Sequence, residues 1–97
     1  MITTAPQLEA ALRALQPLLA QRFRVRRIGY FGSFATGQPR PESDVDVLVE
    51  LAEPLGWEFF ELEELLEQVL ERRVDVVTAD ALKTQLRASI LTDARYI

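Results

Sequence analysis

Residues 32–46 constrain this chain more than any other stretch. The stretch opens with Gly32 and Ser33 and ends with Asp44 and Asp46, two carboxylates separated by one residue. Runs of strand-forming residues flank it on both sides. Small residues allow a backbone to approach a phosphate closely, and paired carboxylates are good ligands for hard divalent metals. The stretch therefore predicts a binding site for a nucleoside triphosphate and its metal ions.

The rest of the chain alternates between helical and strand patterns. We expect helices over residues 4–21 and 57–72, a helical turn over 33–36, strands over 25–31, 44–51 and 74–78, and a last helix from Asp80 onward. Thr4 and Gln7 form a capping-box pattern at the first helix, and Pro17 should kink or shorten that helix. The last helix is predicted from Leu82, Leu86, Ile90 and Ala94, which are spaced four apart.

This order predicts an α/β (α+β) fold with a small mixed sheet and helices on one sheet face. We expect a single domain over residues 1–97, because the chain has only 97 residues. Three short strands should leave the opposite sheet face without a cover of its own.

The composition limits the kinds of catalysis and metal binding that the side chains can support. The chain has no cysteine and no histidine, so thiolate nucleophiles, imidazole proton shuttles and the usual zinc sites are excluded. Acid–base or metal chemistry must then fall to Asp and Glu. The net charge of −4 argues against a general nucleic-acid binder. No secretory signal and no long apolar run are visible, so we expect a cytoplasmic, non-membrane location.

The carboxylates suggest a metal-binding site, and a second interpretation of them is also open. Asp44 and Asp46 share one strand face, about 6.5 to 7 Å apart at Cα, where both can reach Mg²⁺. Asp75, the one acidic residue of the third strand, is the candidate third ligand. An Asp-x-Asp pair can also be a strand end that faces water. Asp75 among valines favours the metal, although a pair with Arg73 is the other way to accommodate its charge.

Two other features also have two interpretations. Gly32 and Ser33 lie where a strand turns into a helix, which suits a phosphate site, but Ser33 could also be an ordinary N-cap. A cluster of four arginines precedes this turn and could face phosphates or simply solvate an edge strand. Its members are Arg22, Arg24, Arg26 and Arg27.

Taken together, these motifs resemble the minimal nucleotidyltransferase (MNT) family of the DNA polymerase beta-like superfamily. The likeness rests on Gly32-Ser33-Phe34-Ala35-Thr36-Gly37, on Ser43-Asp44-Val45-Asp46-Val47-Leu48-Val49 and on Arg73-Val74-Asp75-Val76-Val77. It covers residues 30–78. The resemblance implies that Gly32 and Ser33 hold the triphosphate and that Asp44 and Asp46 hold two Mg²⁺. It also implies that Asp75 binds the catalytic metal and helps to deprotonate an acceptor hydroxyl.

The activity implied by the resemblance is transfer of AMP from ATP. MNT proteins are typically paired with HEPN-domain RNase toxins, so we expect an antitoxin that modifies a tyrosine hydroxyl of a HEPN toxin and forms a hetero-oligomer with it. Exposed aromatic residues such as Trp57, Phe59, Phe60 and Tyr96 could make that contact, although each is more simply a core residue. The alternatives are an antitoxin that acts by complex formation without catalysis, and nucleotidyl transfer to a small molecule.

Overall fold

The computed structural model describes residues 2–81 and 84–97, with side chains at 84–87 outside the description. The helices are α1 (Ala5–Phe23), α2 (Ser33–Thr36), α3 (Glu58–Leu70) and α4 (Thr84–Asp93), and a 3₁₀ turn spans Ala79–Ala81. The strands are β1 (Val25–Phe31), β2 (Val45–Leu51), β3 (Val74–Thr78) and β4 (Arg95–Tyr96). The sheet has the order β3-β2-β1-β4, in which β2 and β3 are parallel and the other pairs are antiparallel.

Most of the predicted elements are confirmed, with shifts at their ends. The capping box of Thr4 and Gln7 begins α1. Pro17 does not shorten this helix, which continues to Phe23 and ends at Arg24 in the left-handed conformation, with φ of 56°. Strand β2 begins at Val45 rather than Asp44, and α3 ends at Leu70 rather than Arg72.

The C-terminal part departs most from the prediction. Asp80 lies in the 3₁₀ turn, and α4 begins only at Thr84 and ends before Ala94. Leu82 and the side chain of Leu86, on which the predicted helix was based, lie outside the described residues. After α4 the chain adds β4, a strand that the sequence did not predict, beside Gly29 and Tyr30 of β1.

The core lies on the helix-covered face of the sheet. Alternate residues of β2 point to this face, where Val45, Val47 and Val49 are fully buried. They pack with buried residues of the helices, namely Leu8, Leu12, Leu19, Phe23, Leu62, Leu66 and Leu70. The opposite face carries Asp46 and Leu48. Leu48 is fully buried, so this face is covered in part, contrary to the expectation that it would lack a cover.

Candidate active site

Three of the predicted site residues come together on the sheet face opposite the helices. Asp46 lies in β2 and is the register partner of Asp75 in β3. Adjacent parallel strands lie about 4.8 Å apart, so these two residues are lateral neighbours. Asp44 precedes β2 by one residue and shares the face of Asp46 by strand alternation. The sheet register therefore places Asp46 and Asp75 side by side, with Asp44 two residues before Asp46.

The exposure of the three carboxylates differs. Asp44 and Asp75 are exposed, whereas Asp46 is partly buried between its neighbours. Burial, reinforced by the negative charges of Asp75 and Asp44, raises the pKa of Asp46 to about 6. The ion pairs of the described residues do not include one between Arg73 and Asp75, so the alternative partner for Asp75 is not observed. In the part of the chain that the structure describes, no arginine forms an ion pair with Asp44, Asp46 or Asp75.

Gly32 lies directly above the middle carboxylate. Its backbone has φ of 70° and ψ of −146°, a region that essentially only glycine occupies. A Cβ atom at this position would lie 2.1 Å from Oδ2 of Asp46. Gly32 is therefore needed both for the turn and for the close approach of the turn to Asp46.

Ser33 begins α2 and does not cap it. The cap residue is Gly32, whose carbonyl accepts from the N–H groups of Ala35 and Thr36 at 3.0 Å each. The alternative interpretation of Ser33 as an N-cap is thus wrong. Ser33 is half-buried in the turn after β1, for which the sequence predicts phosphate binding.

The residues present fit a hard divalent cation by their chemistry. All candidate donors are oxygen atoms, which Mg²⁺ prefers, and the negative charges of Asp75 and Asp44, which add to the effect of burial on the pKa of Asp46, are charges that a cation would neutralise. In their present conformations, no three acidic side chains within 2–81 and 84–97 lie close enough to hold one ion. Asp44 and Asp75 are exposed, so rotation of their side chains could bring them together at low cost.

Glu63 is a neighbour of the site that the sequence did not reveal. The sequence placed it on the solvated face of α3, but it is half-buried. Burial, with the charges of Glu67 and Asp75, raises the pKa of Glu63. Glu67 has a structural contact instead, since its Oε2 accepts from the N–H of Val74 at 3.1 Å. Acidic residues of α3 therefore extend the negative potential around Asp75.

Three of the four clustered arginines pair with glutamates away from this site. Arg22, Arg24 and Arg27 pair with glutamates at 3.0 to 3.7 Å, near the end of β1 remote from Gly32. Arg27 also stacks on the Tyr96 ring, 3.7 Å from its centroid. The interpretation of these arginines as a phosphate-facing patch is not supported. The interpretation that they solvate an edge strand is wrong about the strand, because β1 lies between β2 and β4 and is not at the edge of the sheet.

This combination of a glycine turn over a strand carboxylate and a second carboxylate on the next parallel strand defines a nucleotidyltransferase type of site. The chain belongs to the nucleotidyltransferase domain family, whose model matches residues 12–97. It is an enzyme of that class, and its fold is that of the minimal nucleotidyltransferases. The family predicted from Gly32, Ser33 and the aspartates is confirmed.

Known relatives agree with this assignment. The protein adenylyltransferase MntA of Thermococcus cleftensis is 41% identical over 95 residues, covering 97% of this chain and 96% of the relative. The solved structure of a candidate minimal nucleotidyltransferase superimposes with a TM-score of 0.81 at 34% identity, covering 95% of this chain and 94% of that one. A crystal structure of a toxin–antitoxin with AMP-PNP has a TM-score of 0.74 at 27% identity, covering 87% of this chain and 69% of that chain.

Proposed function

We propose that this chain is a Mg²⁺-dependent protein adenylyltransferase, an antitoxin that transfers AMP from ATP to a hydroxyl, expected to be a tyrosine, of a HEPN-type RNase toxin. The observation that supports this most directly is the position of Gly32 over Asp46, with Asp75 as the register partner of Asp46. We treat residues 1–97 as one nucleotidyltransferase domain that acts in the cytoplasm, where ATP and Mg²⁺ are available.

The reaction is an in-line displacement at phosphorus. The acceptor oxygen attacks the α-phosphorus of ATP, the new O–P bond forms as the bond to the β-phosphate oxygen breaks, and pyrophosphate leaves. Bound Mg²⁺ neutralises the charge that develops on the phosphate oxygens. Asp44, Asp46 and Asp75 are the residues that would hold it.

The chain's own residues have separate tasks in this scheme. Gly32 and Ser33 hold the triphosphate through the backbone of their turn, which comes close to Asp46 because Gly32 has no side chain. The proton of the incoming hydroxyl passes to Asp75, a role that follows from the resemblance to the MNT family and is compatible with its exposure. Asp46 is partly buried and lies beside Asp75 in the sheet.

The known relatives support two parts of this proposal, that the nucleotide is ATP and that the partner is a toxin. The named relative from Thermococcus cleftensis is a protein adenylyltransferase, and the toxin–antitoxin structure was obtained with an adenine nucleotide analogue. The HEPN identity of the partner and the tyrosine acceptor follow from the resemblance to the MNT family.

Mass spectrometry tests the proposal. The protein is incubated with ATP, Mg²⁺ and the product of the neighbouring gene, and the partner should gain one AMP. The Asp44→Asn, Asp46→Asn double variant should give no transfer, whereas Asp93→Asn, an exposed aspartate at the end of α4, should behave like the wild type. Absence of AMP on the partner with the wild-type protein would contradict the proposal.

A second function, neutralisation by complex formation alone, is favoured by one surface. Trp57 and Phe60 are 85% and 58% exposed, so the core interpretation is wrong for both, whereas Phe59 packs against the core. Their rings lie 5.9 Å apart and form an exposed aromatic pair. Neutralisation of the toxin that persists in the double variant and is lost in Trp57→Ser would favour this second function.

A further inference from the structure

Arg72 is the one buried polar or charged side chain among the described residues, with 9% of its surface exposed. The sequence predicted it as the last residue of the helix over 57–72. The helix instead ends at Leu70, and Glu71 adopts the left-handed conformation with φ of 54°. This reversal of the chain direction turns Arg72 inward, towards the segment that leads into Asp44.

The Arg72 guanidinium is satisfied by neutral groups. It donates to the carbonyl oxygens of Ile2 at 2.9 Å and Arg40 at 2.7 Å, and also to that of Ser43. No carboxylate pairs with it in the ion pairs of the described residues. A buried charge is expensive unless its hydrogen bonds are made, so these carbonyl contacts hold the side chain and its acceptors together.

Two of these acceptors, the carbonyl oxygens of Arg40 and Ser43, belong to the turn that immediately precedes Asp44. Ser43 donates its N–H to the Arg40 carbonyl at 3.0 Å, and Arg40 donates its N–H to the Ser43 hydroxyl at 3.0 Å. Arg72 closes this turn from the other side by binding both carbonyls. Because the Ser43 carbonyl forms the peptide bond to Asp44, the position of Asp44 depends on Arg72.

The same guanidinium reaches the turn of Gly32 and Ser33. It lies 5.2 Å from the ring centroid of Phe34, a buried residue of α2 that follows Ser33. An open cleft of about 360 Å³ next to Arg72 is lined by Ser43 and Asp44 among others. Arg72 therefore contacts both chain segments on which the candidate site depends, without being one of its ligands.

We propose that Arg72 is a positioning residue, which holds the turn over residues 40–43 against α2 and so fixes Asp44 relative to Gly32 and Asp46. This proposal rests on the proposed function, since the position of Asp44 matters only if Asp44 acts. Lysine cannot replace arginine in this role. Its compact ammonium group cannot span two separate carbonyls with the planar fork that guanidinium provides.

The test compares Arg72→Lys with Arg22→Lys, a matched change at an exposed arginine that pairs with Glu61. Mn²⁺ binding is measured by electron paramagnetic resonance, and backbone hydrogen exchange is measured over residues 40–45. Arg72→Lys should weaken Mn²⁺ binding roughly tenfold, as loss of a group that orients a ligand commonly does. It should also speed exchange over residues 40–45, whereas Arg22→Lys should change neither.

A second variant covers the case in which Arg72→Lys does not fold. Phe34→Leu keeps an apolar side chain in the core and removes the ring below the guanidinium, and it should weaken Mn²⁺ binding in the same direction. Wild-type Mn²⁺ affinity together with wild-type exchange in the folded variants would overturn the proposal. If the wild-type protein itself binds no Mn²⁺, the metal assignment fails, and the exchange comparison still decides whether Arg72 holds the turn.

Discussion

A Cβ atom at Gly32 would lie 2.1 Å from Oδ2 of Asp46, so the turn after β1 and the central carboxylate of β2 are packed against each other. The pair joins the two halves of the motif that the sequence showed, the Gly-Ser turn and the Asp-x-Asp strand. Because Oδ2 is the end of a side chain that can rotate, the positive φ of Gly32 and this contact together account for glycine at position 32.

Gly32→Ala should abolish AMP transfer and lower stability. The new methyl group meets Asp46, and the backbone conformation costs an alanine of order 1 to 3 kcal/mol. Transfer to the partner and urea unfolding measure the two effects. Gly37→Ala is the matched control, because Gly37 also has positive φ, of 84°, but a methyl group added there would meet nothing within 4 Å. Equal loss of transfer in both variants would show that strain, not the contact with Asp46, is responsible.

The contribution of Asp46 to the stability of the metal-free protein should fall as the pH rises from about 4 to above 6. The pKa of Asp46 is about 6 in the folded state, above its ordinary value of 3.8, so the folded state binds this proton more tightly. The stabilisation from this proton is fully present below the pKa that Asp46 has in the unfolded state. It is lost as the pH rises through the pKa that Asp46 has in the folded state. Each pKa unit corresponds to about 1.4 kcal/mol, but Asp46 is only partly buried and solvent screens its charge, which reduces the expected effect to about 1 kcal/mol.

Urea unfolding in a chelator at several pH values measures this effect. Other carboxylates also titrate in this range, so the informative quantity is the difference between the wild type and Asp46→Asn. As the pH rises, the free energy of unfolding of the wild type should fall relative to that of Asp46→Asn, so that the variant gains on the wild type or becomes the more stable protein. Parallel stability profiles for the two proteins would contradict the assignment of the raised pKa to Asp46.

Much of this arrangement could be predicted from the sequence because local patterns determine it. The bounds of β1, α2 and β3 follow from strand propensity and from the glycine turn, and alternation along β2 places Asp46 opposite the core. The pairing of Asp46 with Asp75 requires that β2 and β3 be adjacent and parallel, which a helix connection between them favours, and that their register align the two residues.

What could not be predicted depends on long-range contacts. The two-residue strand β4 has no periodic pattern and forms because Gly29 leaves room for it. The role of Arg72 depends on a left-handed turn at Glu71, a position where sequence alone would favour glycine. The exposure of Trp57 and Phe60 depends on where α3 meets the core, and aromatic residues in an amphipathic helix are ordinarily assigned to that core.

Asp75→Asn should abolish AMP transfer without destabilising the fold. The residue is exposed, and surface substitutions usually change stability by less than about 0.5 kcal/mol. Removing its charge should also lower the pKa of Asp46, since Asp75 is one of the causes of its rise. Carboxyl carbon NMR titration measures that pKa, and Asp93→Asn should leave both activity and pKa unchanged. An unaltered Asp46 pKa in Asp75→Asn would show that the two carboxylates are not coupled.

Gly29→Ala should detach β4 from the sheet. A Cβ atom here would lie 2.5 Å from the carbonyl oxygen of Arg95, and overpacking of this kind commonly costs about 1 to 3 kcal/mol. The backbone N–H of Ile97 donates to the Ile28 carbonyl at 3.0 Å, so its hydrogen exchange should become faster. Gly56→Ala is the control, because its added methyl group meets nothing within 4 Å. Protection of the Ile97 amide equal to that in the wild type would show that the sheet accommodates the methyl group without releasing β4.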